Sequence, residues 1–527
     1  MESRTNLAAL AGERIRSLDV STENPVERGV AGTVAGLLHV RTRAGAIRQR
    51  LLFAAGDLVD TAQVAESLRR LRRLRFLDDV SIVAQRCAGE DGVALTVATR
   101  DAWSISPELR AAAAPPPGAE EARPEGGARL PNGLLGVEER NFLGSGREVR
   151  AGVETRGGRV GGTVSLADPF VLGLPIIGRA RLSRLPNEHL TSATLRSDER
   201  DVASPWRGAL LLTDAARWPM FGAGGHFART SGQALLGRRI TSDGAPAAMY
   251  VAAGAEVATA AMTRFDGMFT PGPETVARRF VGGDVGADRV ATHYAPATWL
   301  LPRGAVFDVP RGVEYSAVLG LGQERVTGDR AAHLDAWAGR MWQPTRGSLL
   351  STDVWSSGYL VGRDVDAGVL RVATTALARA PHGAWMVRIA GERLVRVDPD
   401  VRPLFGLEPT SRMLEPNARL AGQVLGATVE RSFRFDAPVA HSAVDFATFG
   451  AASLRRAPCG ASAADVHAAA VGVGLHSVPM AASRSVLRLD LLVPVAGSPG
   501  VRRRPFATLT FAPGFSADRV RDAMRGR

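Results

Sequence analysis

The chain has 527 residues, a hydrophobic fraction of 45%, a formal net charge of +12 at pH 7 and a mean hydropathy of -0.01. This length exceeds what one ordinary soluble core needs, and the composition excludes an intrinsically disordered chain. No stretch reaches the roughly 18–20 continuous apolar residues of a membrane helix. Any membrane span must therefore be built from β-strands.

The positive charge comes from arginine alone, because the sequence contains no lysine. The arginines are spread along the chain among acidic residues, and no nucleic-acid-binding motif accompanies them. We therefore expect no nucleic-acid partner. Residues 1–20 lack the apolar segment of a secretory signal peptide, which taken alone favours a cytoplasmic protein. A membrane barrel would need a leader upstream of Met1.

Residues 13–103 have the pattern of a small α+β domain of order β–α–α–β–β. A short strand covers 13–21, and helices are expected over 43–53 and 62–75. Two strands follow, over 80–86 and 93–99, with a Gly-rich turn between them. Asp60 is expected at the start of the second helix, where its carboxylate can accept backbone N–H groups.

This segment resembles a POTRA (polypeptide-transport-associated) domain. The residues that carry the resemblance are the "GD" turn, Gly56-Asp57, and an aromatic residue followed by a valine that enters a strand, Phe76 and Val80. The resemblance implies a periplasmic domain that accepts extended peptides along a sheet edge. Arginines 69, 70, 72 and 73 flank the second helix. A solvated helix face and a contact with anionic lipid headgroups or an acidic partner both explain them.

Residues 104–130 include a Pro/Ala-rich, low-complexity stretch that cannot form a core, which predicts a linker or surface loop. Residues 131–515 then alternate with period two, as in 147–155, 160–167 and 487–493. Charged residues recur on one face of these segments. A soluble sandwich would expose that face, whereas a membrane barrel would turn it toward the lumen.

Two turn motifs decide between these alternatives by resemblance. Residues 141–146, NFLGSG, match the "N-aromatic-x-G-T/S-G" turn that follows the first barrel strand in BamA/TamA-type outer-membrane assembly proteins. Residues 168–173, DPFVLG, match the "D-P-aromatic" strand end that comes next. The residues that carry these barrel-start motifs are Asn141, Gly144, Gly146, Asp168, Pro169 and Phe170.

The resemblance predicts a mainly β protein. A C-terminal transmembrane antiparallel β-barrel of about sixteen strands would follow one small α+β POTRA-like domain. The polar segment 134–141 would be the first strand and form a weakly sealed edge. Residues 516–527 would be an arginine-rich tail beyond the last strand.

The family also has a lumenal loop whose arginine pairs with an acid on the barrel wall, and here both partners differ. The best match to the loop tip is 404–407, where phenylalanine replaces the arginine, and the best match to the wall is 446–450, where threonine replaces the acid. Losing both halves of a buried pair is nearly neutral, which favours an apolar loop anchor. The anchor residues would be Phe405, Gly406, Phe446, Thr448 and Gly450. Arg402 could restore the ion pair with Asp445, but Asp445 is three residues from Thr448 and is expected on the opposite face of the strand.

The sequence contains no metal-binding histidine spacing and no catalytic or cofactor motif. We therefore expect a protein that is not an enzyme and holds no cofactor or metal. The resemblance implies insertion of other proteins into the bacterial outer membrane, or their passage across it. The partners would be unfolded client polypeptides, the lipid bilayer with lipopolysaccharide, and periplasmic proteins. A passive pore and a soluble β-rich binding module are the alternatives.

Overall fold

The computed structural model describes most of the chain in seventeen segments. They are residues 7–25, 39–74, 76–86, 92–112, 133–156, 159–185, 188–197, 204–217, 225–242, 245–264, 275–297, 307–395, 423–439, 442–456, 466–478, 485–498 and 505–513. Among these residues no helix is both long and apolar enough to cross a bilayer.

The N-terminal unit has the predicted order of elements. They are β1 (Ile15–Glu23), α1 (Ala44–Arg48), α2 (Thr61–Arg72), β2 (Leu77–Arg86) and β3 (Val93–Asp101). β3 is central, parallel to β1 and antiparallel to β2. The first helix is five residues long instead of the eleven expected, and it ends at Arg48.

The core of the N-terminal unit lies between its sheet and α2. Val93, Leu95 and Val97 alternate inward along β3 and are fully buried, and Leu71 of α2 packs with them. Asp60 caps α2, because its carboxylate accepts hydrogen bonds from the backbone N–H groups of residues 62 and 63. An N-cap of this kind stabilises a helix by about 1 kcal/mol.

Twenty strands of the described residues form a closed antiparallel barrel. A separate two-stranded hairpin, Tyr294–Ala297 with Phe307–Pro310, lies between two successive barrel strands in the chain. The strands after β3 are β4 (Ile105–Ala112), β5 (Gly133–Phe142), β6 (Arg147–Arg156), β7 (Arg159–Asp168), β8 (Ile176–Leu185), β9 (Glu188–Ser197), β10 (Trp206–Arg217), β11 (Gly225–Arg239), β12 (Ala247–Arg264), β13 (Thr275–Ala291), β14 (Tyr294–Ala297), β15 (Phe307–Pro310), β16 (Gly312–Glu324), β17 (Arg330–Trp342), β18 (Ser348–Val361), β19 (Asp364–Ala380), β20 (Gly383–Val395), β21 (Gln423–Val439), β22 (Ser442–Arg456), β23 (Val466–Val478), β24 (Ser485–Gly497) and β25 (Phe506–Pro513).

The barrel wall is apolar outside and polar inside. On β24, Leu489 and Leu491 are exposed while Asp490 between them is buried. Val471, Val473 and other large apolar side chains are likewise exposed on neighbouring strands. Exposed apolar residues that alternate with inward polar ones are the pattern of a barrel in a lipid bilayer. The transmembrane prediction is therefore confirmed, and the charged face of the alternating segments lies on the inside.

Two features of the predicted barrel need correction. The strand count among the described residues is twenty and not about sixteen, because several hairpin connections, such as 362–363 and 381–382, are only two residues long. The barrel also begins within the predicted linker 104–130, because β4 pairs with both β5 and β25. The sequence did not predict this strand, because the strand contains Pro107 and is followed by a low-complexity stretch. Residues 516–527 lie outside the described residues.

Candidate functional site

The N-terminal unit docks on one end of the barrel, which we call the base, through the first turn motif. Asn141 is 1% exposed, and its Oδ1 accepts a hydrogen bond of 2.9 Å from the Gly146 backbone N–H, which closes the β5–β6 turn. Its Nδ2 donates to Thr42 Oγ1 of the N-terminal unit over 2.8 Å. One side chain therefore both shapes the turn and joins the two domains.

The glycines of this turn are required by the contact. Gly144 has φ of +70°, and a Cβ there would lie 2.4 Å from the Arg41 carbonyl oxygen. The Arg43 backbone N–H donates to the Gly144 carbonyl over 2.9 Å. At Gly146, with φ of +73°, a Cβ would meet the Arg50 guanidinium and the Phe76 ring. Larger side chains at either position would push the domains apart.

The second turn motif meets the same arginine from the other side. The Arg50 guanidinium carbon lies 4.8 Å from the Phe170 ring centre and 5.8 Å from that of Phe76, so it joins an aromatic ring of each domain. Asp168 holds the turn, because its Oδ1 accepts from the Phe170 backbone N–H and its Oδ2 pairs with Arg147 at 2.8 Å. Pro169 lies between these two residues.

The remaining POTRA-motif residues shape the N-terminal unit and lie away from this junction. Gly56 has φ of +99°, and its N–H donates to the carbonyl of Ile15. Asp57 accepts from the Ala54 N–H, which closes the turn. Val80 is buried in the core.

A buried polar cluster supports the junction and was missed by sequence reasoning. Asp101 is 0% exposed at the end of β3, and its Oδ2 accepts from the Thr42 backbone N–H over 2.8 Å. His39 Nε2 lies 2.8 Å from the same oxygen. His39 and Asp101 are 62 positions apart, so no local pattern links them.

The arginines of α2 form a second contact with the base. Arg69 and Arg73 lie over the ring of Tyr294 at the start of β14, at 4.5 Å and 5.5 Å from its centre. Arg69 also donates to the Thr292 carbonyl and pairs with Glu66. For these two arginines, the expectation of a solvated or lipid-facing helix surface is therefore wrong.

The shortest ladder in the described part of the barrel wall is the seam between β4 and β25. Among the described residues, four residue pairs connect these strands, from Leu109 with Phe511 to Ala112 with Thr508. The next pair of strands, β24 and β25, is joined by eight pairs, and β12 with β13 by seventeen. The prediction that 134–141 forms this edge is wrong, because β5 pairs with β4 and β6 on its two sides. The NFLGSG turn accordingly follows the second barrel strand and not the first.

The predicted lumenal anchor is not brought together. Arg402, Phe405 and Gly406 lie outside the described residues. On β22, Thr448 is exposed on the outer face, whereas Ala447 and Phe449 are buried on the inner one. Thr448 therefore cannot line the lumen, and neither can Phe446 and Gly450, which share its face by alternation. The match of 446–450 to the wall motif is wrong by one residue of register.

The inner wall instead carries a polar cluster on five strands, β11, β12, β13, β17 and β18. His333 Nδ1 lies 2.9 Å from Glu256 Oε2, and the Tyr359 hydroxyl donates to Glu256 Oε1 over 3.3 Å. Gln233 donates to Asp284 over 3.0 Å. Among the described residues no group of three or more histidine, cysteine, aspartate or glutamate side chains is placed to hold a metal ion. These contacts join strands that are not neighbours in the sheet, because β13 and β16 lie between β12 and β17.

No protein-family model matches the sequence, and no curated protein matches it. Solved structures do match. The chain is similar to BamA from Haemophilus ducreyi lacking POTRA domains 1-3, at 10% identity over 94% of this chain and 84% of that chain, with a TM-score of 0.36. It is similar to CdiB from Acinetobacter baumannii, at 8% identity over 95% and 74% with a TM-score of 0.39, and to CdiB from Escherichia coli, at 9% over 98% and 80% with a TM-score of 0.40. BamA is one of the protein types that the two turn motifs resemble.

Proposed function

We propose that this protein is a bacterial outer-membrane barrel that inserts other polypeptides into the outer membrane, or passes them across it, by opening the seam between β4 and β25. The observation that carries the proposal is the four-residue pairing of that seam. In this proposal the base and the N-terminal unit lie in the periplasm. The partners of the protein are unfolded client polypeptides, the bilayer with its lipopolysaccharide, and periplasmic proteins that deliver clients.

Ladder length determines how readily the seam opens. In the described part of the wall, fewer backbone pairs have to break at the seam than at any other join. Inside a bilayer the released N–H and C=O groups cost several kcal/mol each, because no water reaches them. An incoming strand that pairs with them removes this cost. The seam is therefore stable when shut and favours a β-strand as the ligand that opens it.

Among the described residues, the strands beside the seam are also the shortest of the barrel. β4 and β25 have eight described residues each, and β5 to β9 have ten each. The barrel strands from β11 to β21 have 13 to 18 residues.

The N-terminal unit is placed to guide clients toward this side. Its docking residues contact the β5–β6 and β7–β8 turns, close to the seam. Within the described part of the chain, β2 pairs only with β3, whereas β1 also bonds to Gly56 and Asp57 through its first residue, Ile15. The outer edges of β2 and of β1 beyond Ile15 therefore offer backbone groups to an extended client segment.

A disulfide lock across the seam tests the proposal. Arg110 and Thr510 are register partners, and directly opposed residues in antiparallel strands lie within disulfide reach. The variant R110C/T510C is made in a C87S/C459S background and reconstituted in liposomes with an unfolded client barrel. We expect client folding to stop when the lock is oxidised and to return after reduction.

A matched lock elsewhere in the wall serves as the control. Thr352 and Thr374 face each other across β18 and β19, with their hydroxyl oxygens 3.2 Å apart. Oxidised T352C/T374C should fold clients as well as the cysteine-free protein does. If the locked seam variant keeps full activity, the proposed mechanism is wrong.

The alternative function is a passive pore, which the inner surface supports. Arg179 and Arg181 lie on the inward face of β8 and are exposed, so they border a water-filled space. A pore lined by arginine favours anions. Anion-selective conductance in planar bilayers that oxidised R110C/T510C leaves unchanged, with no client folding by the unlocked protein, would favour this alternative.

A further inference from the structure

Three arginine–tryptophan pairs occur on the outer face of the barrel strands, and a fourth, Arg371 with Trp355, is buried on the inner face. The guanidinium carbon of Arg238 lies 5.5 Å from the Trp206 ring centre, that of Arg340 lies 5.3 Å from Trp342, and that of Arg431 lies 5.5 Å from Trp385. These distances are within the range of a cation–π contact. The pairs involve strands β10 and β11, β17, and β20 and β21.

All three pairs lie on the outer surface, where lipid contacts the wall. Arg238 lies on the same face of β11 as Leu236, which is 61% exposed. Arg340 lies on the same face of β17 as Leu334, which is 41% exposed. Trp206 and Trp385 are themselves 52% and 47% exposed. Alternation along each strand places the arginines on this same apolar side.

The pairs also lie at one level, close to the base. Trp206 is the first residue of β10, Trp342 is the last of β17, and Trp385 is the third of β20. These strand ends are on the side where the N-terminal unit docks, because strand direction alternates around the barrel. An outward arginine costs least at the membrane interface, and tryptophan is enriched there.

Among the described residues, none of the three guanidinium groups pairs with a carboxylate. Arg431 donates from Nη2 to the Pro381 carbonyl over 2.7 Å, while its Nη1 is buried without a hydrogen-bond partner in that part of the chain. None of the three positive charges at the level of headgroups is therefore neutralised by a carboxylate of the described residues. Guanidinium groups bind phosphate oxygens in a bidentate manner.

The Arg431 pair continues into an apolar groove. The groove has a volume of about 460 Å³ and runs from Trp385 and Arg431 over Val429 and Gly450 to Val471 and Leu491. Nothing lies within 4 Å of the position that a Cβ of Gly450 would take, so the missing side chain leaves this space open. A charged group beside an apolar channel matches a lipid with a phosphate headgroup and an acyl chain.

The pairs are confined to one side of the barrel. The sequence has no tryptophan in residues 105–205 or 386–527, which supply the strands around the seam. All three pairs lie on the wall from β10 to β21, away from the seam. We propose that this wall binds anionic glycerophospholipids of the leaflet at the base through Arg238, Arg340 and Arg431. This inference rests on the proposed function in one respect: the proposed function makes that leaflet the periplasmic one.

Native mass spectrometry of the full chain in detergent tests this inference. The protein is titrated with phosphatidylglycerol and, separately, with phosphatidylcholine. We expect wild type to bind three molecules of phosphatidylglycerol in preference to phosphatidylcholine. Each of R238Q, R340Q and R431Q should remove one preferred molecule, and each arginine should be worth about fivefold in affinity.

The opposite rim provides a matched control. Arg330 and Arg393 are exposed on the outer side of β17 and β20 at the ends far from the base. The pair R330Q/R393Q removes as much charge as R340Q/R431Q and should keep all three lipids. If this control loses the same lipids, binding follows net charge or the far leaflet, and the inference is wrong.

Two further measurements keep the test decisive. Heat-modifiable migration on gels checks that each variant is a folded barrel, and R340K keeps the charge but not the planar group. R340K should bind phosphatidylglycerol more weakly than wild type and more tightly than R340Q. Equal preference for phosphatidylglycerol in folded R238Q, R340Q, R431Q and wild type would overturn the inference.

Discussion

The two sides of the barrel differ in strand length and in the number of residue pairs that join neighbouring strands. The wall from β11 to β21 has strands of 13 to 18 residues, and β19 and β20 are joined by thirteen residue pairs. Among the described residues, the side from β25 through β4 to β9 has strands of eight to ten residues and a join of four pairs. The long strands also carry the inner polar cluster around Glu256 and His333.

This difference separates two tasks within one closed sheet. A barrel must satisfy every backbone group in the bilayer, which demands continuous pairing. A protein that admits client strands must release part of that pairing. In the proposed function, long ladders on one side let the other side open without loss of the whole fold. The N-terminal unit docks on turns of the short-strand side and also contacts Thr292 and Tyr294 after β13, so it spans both sides.

The largest expected effect is in amide hydrogen exchange. The amides of β4 and β25 should exchange at least about a hundredfold faster than those of β12 and β13, because local opening breaks four pairs instead of the whole ladder. Exchange followed by mass spectrometry in nanodiscs measures this ratio. Equal protection on both sides would remove the basis for an opening seam.

A buried ion pair tests the strength of the long-strand side. Arg371 of β19 and Glu392 of β20 are each less than 5% exposed and form a hydrogen-bonded salt bridge, and the Arg371 guanidinium carbon lies 4.7 Å from the Trp355 ring centre. Arg371→Ala leaves the Glu392 carboxylate buried without this partner. Such a loss costs about 3–5 kcal/mol.

Urea unfolding in liposomes measures this cost. The double variant R371M/E392L is the control, because it removes both charges and keeps apolar volume, and it should lose less than half as much stability. A single variant that is no less stable than the double one would contradict the prediction. The seam should respond little to either change, since Arg371 lies on the opposite side.

Sequence reasoning predicted the architecture because its signals are local. Period-two alternation gives strands, and the Asn141 and Asp168 turns require only a few neighbouring residues. The helix cap at Asp60 is local as well. These features can be predicted from a single sequence because they do not depend on tertiary contacts.

The parts that failed depend on distant partners or on register. β4 is a strand because β5 and β25 pair with it, although its own sequence contains proline and adjoins a low-complexity stretch. Thr448 was placed in the lumen by a motif match that is one residue out of register. The contact of Asp101 with His39 and that of Arg69 with Tyr294 each join residues far apart in the chain. Periodicity contains no information about such pairs.

The smallest expected effect comes from two glycine substitutions on the short-strand side of the barrel. Gly144 and Gly173 have φ of +70° and +78°, so alanine at either position costs about 1–2 kcal/mol of backbone strain. Only at Gly144 does the new Cβ collide with the N-terminal unit, at the Arg41 carbonyl oxygen; at Gly173 nothing lies within 4 Å. Gly144→Ala should therefore separate the domains at this turn, while the Arg69 contact with Thr292 remains, and Gly173→Ala should not.

Exchange at the Arg43 amide, which donates to the Gly144 carbonyl, reports this separation directly. It should speed up in Gly144→Ala and stay unchanged in Gly173→Ala; the same rate in both variants would show that the turn does not hold the domains together. The amides of β4 then distinguish two origins of the weak seam. If they keep their wild-type rate after the domains separate, the short ladder alone sets seam stability. If they exchange faster, the docked N-terminal unit braces the seam, and a client that displaces this unit would open the barrel where it is weakest.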